Sequence, residues 1–321
     1  MRLARTGSYD DSKLLPLACD LHPFFLQSPL HAQHAARAEE SMMTPSRTAK
    51  RVAERRAAHQ LLDAPVVLHD PLALRIVGVA RPEERARLAA MEQGRLARTL
   101  RAFLAARARV AEDELARRVS EGLRQYVILG AGLDTFAYRN PFGDSLRVFE
   151  VDQEGTQVWK RECLADAGIA AGASVRFVSV DFENGDIFES LSQAGWDRHQ
   201  PTLFAWLGVT MYLDEDTVLR VLRTVAGLAH GTQMVFDYSI APGLLGPIER
   251  LVFDEFAKRV AAAGEPWISS FEPDRLSQDL RAAGFTRVED LGPDTLNGRY
   301  FVERTDGMRV GSLAHIISAT V

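Results

Sequence analysis

The chain has 321 residues, is 46% apolar and 25% charged, and carries a formal net charge of −5. Those are the proportions of an ordinary globular protein, long enough for one large α/β domain or two small ones. The acidic balance gives no reason to expect a nucleic-acid partner, and without a run of about 18 apolar residues neither a membrane span nor a membrane partner is expected.

The two cysteines, Cys19 and Cys163, are too few for a disulfide framework and lie in no metal-ligand spacing; the histidines are scattered. No metal site and a reducing, cytoplasmic compartment are therefore expected. Leu14 to Ala18 is too short for the apolar core of a signal peptide.

Residues 1–40, rich in Pro, His, Gln and Ser without a stable period, read as a poorly ordered N-terminal extension to a single domain spanning 41–321. Within that domain, 41–122 reads as a helical cap segment. A helix from Thr44 to Leu62 is capped by Ser46, and His69-Asp-Pro71 restarts the chain after it. A long helical region from Pro82 to about Gly122 follows, with Gly94 as the place where it would break. Residues 123–304 alternate between short apolar runs and helical stretches. The runs are Tyr126–Leu129, Val148–Val151, Val175–Val180, Leu203–Val209 and Met234–Tyr238; the helices fall near 155–167, 214–229 and 273–283. Strands separated by helices predict an α/β fold with a mostly parallel, Rossmann-like sheet. Residues 240–270 interrupt the alternation and read as a lid insertion. The late runs Arg287–Leu291 and Tyr300–Glu303, with no helix between them, predict an antiparallel C-terminal hairpin.

The chemistry concentrates at the ends of these runs. The first strand enters the glycine turn Gly130-Ala-Gly132, where a ligand can approach more closely than any Cβ would permit. A dinucleotide fingerprint would place a third glycine at Thr135, so a ligand without a pyrophosphate suits the turn better. Asp152 closes the second run and Asp181 the third. Two carboxylates at neighbouring strand tips fit a nucleoside, Asp152 taking the ribose hydroxyls and Asp181 the adenine amino group, with Phe182 on the purine face. Leu207 and Gly208, after the fourth run, lie where backbone can pass beneath a ligand. Tyr212 either reaches an acceptor pocket or plugs the strand–helix junction. Asp134 and Asp214 read as helix caps, and Arg139 either as a solvated end of the helix after Asp134 or as a partner of Asp134 or Glu150, with no role assigned to it.

Taken together, Ser46-Arg-Thr-Ala49, His69-Asp-Pro-Leu-Ala73, Arg107-Ala-Arg-Val-Ala-Glu-Asp113, the stretch from Gln125 to Thr135, Phe149-Glu-Val-Asp152, Val180-Asp-Phe182 and Trp206 to Leu213 resemble the bacterial branch of the leucine carboxyl methyltransferase-like family, over residues 42–304. These enzymes depend on S-adenosyl-L-methionine (SAM). The resemblance implies a class I methyltransferase sheet of seven strands with added N-terminal helices and a lid. It also implies that Arg47 and Arg107 grip the cofactor carboxylate, and that Gly130, Gly132, Asp152, Asp181 and Phe182 occupy cofactor-contacting positions. Leu207 departs from members that carry a glutamate there, which limits it to apolar or backbone contact.

The activity expected is O-methylation of a carboxylate or hydroxyl on a small molecule, by in-line displacement at the sulfonium methyl, in a setting such as secondary metabolism. The rival readings are an NAD(P)-dependent oxidoreductase, which would want the third glycine and a Tyr-x-x-x-Lys proton donor, and a non-catalytic SAM-fold binding protein.

Overall fold

The computed structural model describes residues 46–182, 185–262 and 264–321. The extension expected over residues 1–40 lies outside the described residues. In chain order the elements begin with α1 (Arg47–Leu62), α2 (Ala73–Ile76), α3 (Pro82–Met91) and α4 (Arg95–Ser120). Then come β1 (Gln125–Leu129), β2 (Arg147–Asp152), α5 (Glu154–Asp166), β3 (Val175–Ser179), α6 (Ile187–Gln193), β4 (Thr202–Trp206), α7 (Glu215–Ala226) and β5 (Gln233–Ser239). The chain closes with α8 (Pro247–Ala262), α9 (Pro273–Ala283), β6 (Arg287–Leu291), α10 (Pro293–Tyr300) and β7 (Ala314–Thr320).

Local chemistry explains most of these boundaries. Ser46 caps α1 by accepting the Ala49 N–H at 3.0 Å, and Asp214 caps α7 through the Thr217 N–H at 2.7 Å. The long helical region expected from Pro82 onward is two helices, because the chain breaks at Glu92-Gln93-Gly94 and Gly94 becomes the N-cap of α4.

The seven strands form one sheet in the order β3-β2-β1-β4-β5-β7-β6. The first five in this order are parallel, and β7 runs antiparallel to both β5 and β6. Alternate residues feed two cores, one on each face. Val127, Leu129, Phe204, Trp206 and Phe236 pack on one side with α7 and α9. Tyr126, Ile128, Leu203, Ala205 and Val235 pack on the other with α4. A sheet covered on both faces accounts for strands that read as unbroken apolar runs. Strand order reverses between β1 and β4, so the loops leaving their carboxyl ends diverge and open a crevice, the usual ligand position in such sheets.

Three expectations need correction. Tyr300–Glu303 is not a strand. Gly292 and Pro293 do not mark a hairpin break but start α10, with proline at its first turn, where the missing N–H costs nothing. The antiparallel partner of β6 is β7, reached through that helix, so the core extends past residue 304 to Thr320. Finally, β4 ends at Trp206 rather than Val209, because Gly208 adopts φ +76° and leaves the ladder.

Candidate active site

The crevice between β1 and β4 is lined by the predicted glycine turn. The N–H groups of Gly130 and Ala131 donate to the Val151 carbonyl, at 2.8 and 3.1 Å, and fasten the turn to β2. Gly130 has φ +70°, and a Cβ there would lie 2.3 Å from Val209 Cγ2. The bare Cα therefore admits the turn after β4, packing the two loops of the crevice against each other.

Asp152 sits at the tip of β2. Its carboxylate accepts the Gly132 N–H at 2.6 Å and the Gln153 N–H at 2.8 Å. Burial pushes its pKa up, against the pull of those two N–H donors. Val180 N donates to the Asp152 carbonyl at 3.0 Å, so the chain just before Asp181 runs beside the tip of β2. Asp152 and Asp181 thus share the carboxyl edge of the sheet on adjacent strands, although β3 itself ends at Ser179, two residues before Asp181. Phe182 is buried, at 7% exposure, in the apolar core beside them.

Arg107 projects from α4 and is also buried. Its Nη1 donates to Asp237 Oδ2 at 2.8 Å, while Asp237 Oδ1 accepts the Gly208 N–H at 2.5 Å. The guanidinium passes so close to Gly208 that a Cβ there would lie 2.6 Å from Nη2. Leu207 is half-buried against the core on the α4 side. Arg47, the other predicted carboxylate grip, is exposed in the first turn of α1 and makes no ion pair among the described residues. That turn does reach the site: a Cβ on Gly132 would lie 3.3 Å from the Ala49 Cβ.

The same end of α1 meets the 240–270 insertion. Thr48 N, one of the helix's unpaired donors, gives its hydrogen to Glu265 Oε2 at 3.1 Å. Tyr212 closes a short 3-10 turn after β4, with its hydroxyl facing Thr48 and Trp267. Burial raises its pKa, outweighing those two contacts, which work in the other direction. Trp267 lies against Phe253 and Phe256 of α8, with ring centroids 5.3 and 6.5 Å away. Tyr212 therefore stands where the turn after β4, α1 and the insertion converge.

Beneath the turn lies a buried polar network that tethers it to the helical cap. Arg56 donates to Asp134 Oδ2 at 2.9 Å, to Asp70 Oδ2 at 2.5 Å and to Thr135 Oγ1 at 2.8 Å. Burial alone would raise the pKa values of Asp70 and Asp134; the charges of Arg56 and Arg139, with the hydrogen bonds each carboxylate accepts, together outweigh it and hold both below the usual carboxylate range. Asp134 accepts the Phe136 N–H at 2.7 Å but is not the cap expected of it: the 3-10 turn that follows has Thr135 as its N-cap. Arg139 pairs with neither of its expected partners. It binds Glu112 and lies 3.5 Å from Asp70, because the chain after Asp134 makes a 3-10 turn instead of a helix. Lys160 and Glu150 form a second buried pair at 2.8 Å, and the Tyr138 hydroxyl donates to Glu150 at 2.7 Å.

The structure brings Gly130, Gly132, Asp152, Asp181, Arg107, Leu207 and Tyr212 to one edge of the sheet. Sequence reasoning missed Asp237, Glu265 and Trp267. Asp237 did leave a trace, as a lone carboxylate inside the apolar run Met234–Tyr238; Glu265 and Trp267 left none, since their meaning depends on where the insertion folds back. The donor set fits a nucleoside with an amino-acid tail: a strand-tip carboxylate already held by backbone N–H groups for the diol, and a guanidinium against a bare glycine for the tail.

The chain is similar to known proteins in sequence and in fold. The leucine carboxyl methyltransferase family model matches residues 49–226. A protein of Bacillus subtilis (strain 168) named as a candidate S-adenosyl-L-methionine-dependent methyltransferase, YktD, is 34% identical over 221 residues, 67% of this chain and 71% of that one. A similarly named relative from Saccharopolyspora erythraea is 33% identical over 193 residues, 59% of this chain and 66% of its own length, so the chain spans just under two thirds of it. Among solved structures, a DUF574 family protein from Streptomyces avermitilis has a TM-score of 0.51 at 18% identity. The match covers 77% of this chain and 94% of that one, and the likeness is one of fold. No helix among the described residues is long and apolar enough to cross a membrane.

Proposed function

The chain belongs to the leucine carboxyl methyltransferase family and is a SAM-dependent methyltransferase, and from that premise we propose that it methylates an oxygen, a carboxylate or hydroxyl, on a small organic molecule. In this reading Asp152 takes the ribose hydroxyls, Asp181 takes the adenine amino group, and Phe182 lies beside the base. Gly130, Gly132 and Leu207 pass beneath the cofactor, and Arg107 and Arg47 meet its carboxylate. The cofactor, when bound, supplies a sulfonium methyl whose leaving group is a neutral thioether. The chain's own residues therefore have no leaving anion to stabilise. Their task is to hold the acceptor oxygen in line and exclude water.

The observation that carries the choice of acceptor is the placement of Tyr212, whose hydroxyl faces Thr48 and Trp267 where the turn after β4, α1 and the insertion meet. Burial keeps its phenol protonated, so it can donate a hydrogen bond to an acceptor oxygen but does not take a proton near neutral pH. A carboxylate or an acidic phenol arrives already ionised and needs no base. The aromatic cluster of Phe253, Phe256 and Trp267 supports an acceptor with an apolar body. A cytoplasmic setting belongs to the same proposal and is supported by the two-cysteine composition.

The test is incubation of the protein with isotope-labelled SAM and a small-molecule extract, followed by a mass search for products one CH2 heavier. Release of the label by mild alkali identifies a methyl ester; resistance identifies an ether. A pH–rate profile governed by a pocket group titrating near neutrality would count against an ionised acceptor.

A further inference from the structure

We propose that Asp237 is a positioning residue for the cofactor, holding the Arg107 guanidinium so that its remaining donors meet the carboxylate of the amino-acid tail. The proposal rests on the reading of Arg107 given above. Asp237 lies on β5, two strands from the glycine turn, and is fully buried. It shares the parity of Val235, so its side chain projects toward α4, where Arg107 waits. One carboxylate oxygen takes Arg107 Nη1 and the other takes the Gly208 N–H, while the Asp237 carbonyl accepts the Thr210 hydroxyl at 2.7 Å. A single residue therefore fixes both the guanidinium and the turn from Gly208 to Tyr212.

Two physical points favour positioning over plain charge neutralisation. Both Asp237 oxygens are engaged and the residue is sealed from solvent, so it neither meets the ligand nor releases the arginine. Among the described residues Asp237 is the only hydrogen-bond acceptor of Arg107, which leaves most of the five-donor fork uncommitted beside the bare Cα of Gly208. Arg107 and Asp237 together form a neutral pair, which suits a zwitterionic tail carrying its own ammonium and carboxylate. A lone buried guanidinium would repel that ammonium and would be costly to keep.

The experiment compares two probes by calorimetric titration: S-adenosylhomocysteine, which has the amino-acid tail, and 5′-methylthioadenosine, which has the nucleoside and thioether without it. Asp237→Asn is expected to weaken S-adenosylhomocysteine about tenfold or more and to leave methylthioadenosine within about twofold. A merely structural aspartate would move both probes together; that result, or no change in either, overturns the proposal. If Asp237→Asn fails to fold, Asp237→Glu serves. It keeps the charge but shifts the guanidinium by a methylene, and the same split between probes is expected or the proposal fails. Arg107→Lys separates the premise from the inference. If it too leaves both probes unchanged, the reading of Arg107 is wrong. If it weakens only the tailed probe while Asp237→Asn does not, Arg107 stands and the role of Asp237 falls.

Discussion

Gly130→Ala tests how the two crevice loops are held together. The new Cβ would sit 2.3 Å from Val209 Cγ2, more than 1 Å inside the usual carbon–carbon separation of about 3.5–4.0 Å. It would also force an L side chain into φ +70°, at a cost of about 1–2 kcal/mol. Overpacking adds about 1–3 kcal/mol, for a total of roughly 2–5 kcal/mol. Only the second part depends on Val209. Val209→Ala removes the Cγ2 methyl and by itself costs up to about 1.5 kcal/mol of lost burial. In that background Gly130→Ala should cost only the backbone part, a coupling of about 1–3 kcal/mol between the two sites. Urea denaturation of the parent, both single variants and the double variant measures it. If Gly130→Ala costs the same with and without the valine side chain, the crevice is not closed by this contact and the reasoning is refuted.

The remaining predictions concern charge and the acceptor. Arg56→Met should destabilise the fold by about 3–5 kcal/mol in urea denaturation, because it takes the ion-pair partner from the buried carboxylate of Asp70 and from the half-buried one of Asp134. Both have pKa values depressed by folding, so their stabilisation is complete above the unfolded aspartate value of about 3.9 and is lost as pH falls through the lower folded values. Acid titration of the parent protein should show that loss, and Arg56→Met should blunt it. Asp152 is shifted the other way. If its carboxylate holds the ribose, S-adenosylhomocysteine affinity should begin to fall on acidification at a higher pH than an ordinary aspartate would dictate, and Asp152→Asn should remove that pH dependence. Tyr212→Phe should leave S-adenosylhomocysteine binding nearly unchanged while lowering kcat/KM for the acceptor about tenfold, the loss of one hydrogen bond in the transition state. Equal losses in both measurements would place Tyr212 in the scaffold instead.

The sequence by itself determined the five parallel strands β1 to β5, the helices α5, α7 and α9, the glycine turn, and the acids Asp152 and Asp181 where two of the apolar runs stop, but not the short helix α6. These are local features: an apolar run, a residue that tolerates positive φ, a carboxylate where a run stops. Tertiary structure alone decided that β7 inserts between β5 and β6, since a short apolar run does not carry the identity of its neighbours. It also decided which partners the charges take. Arg139 bonds Glu112 and Arg107 bonds Asp237, at separations of 27 and 130 residues along the chain. Ion pairing depends on which side chains the packed layers leave facing each other in a dry interior, and no pattern within a single segment encodes that.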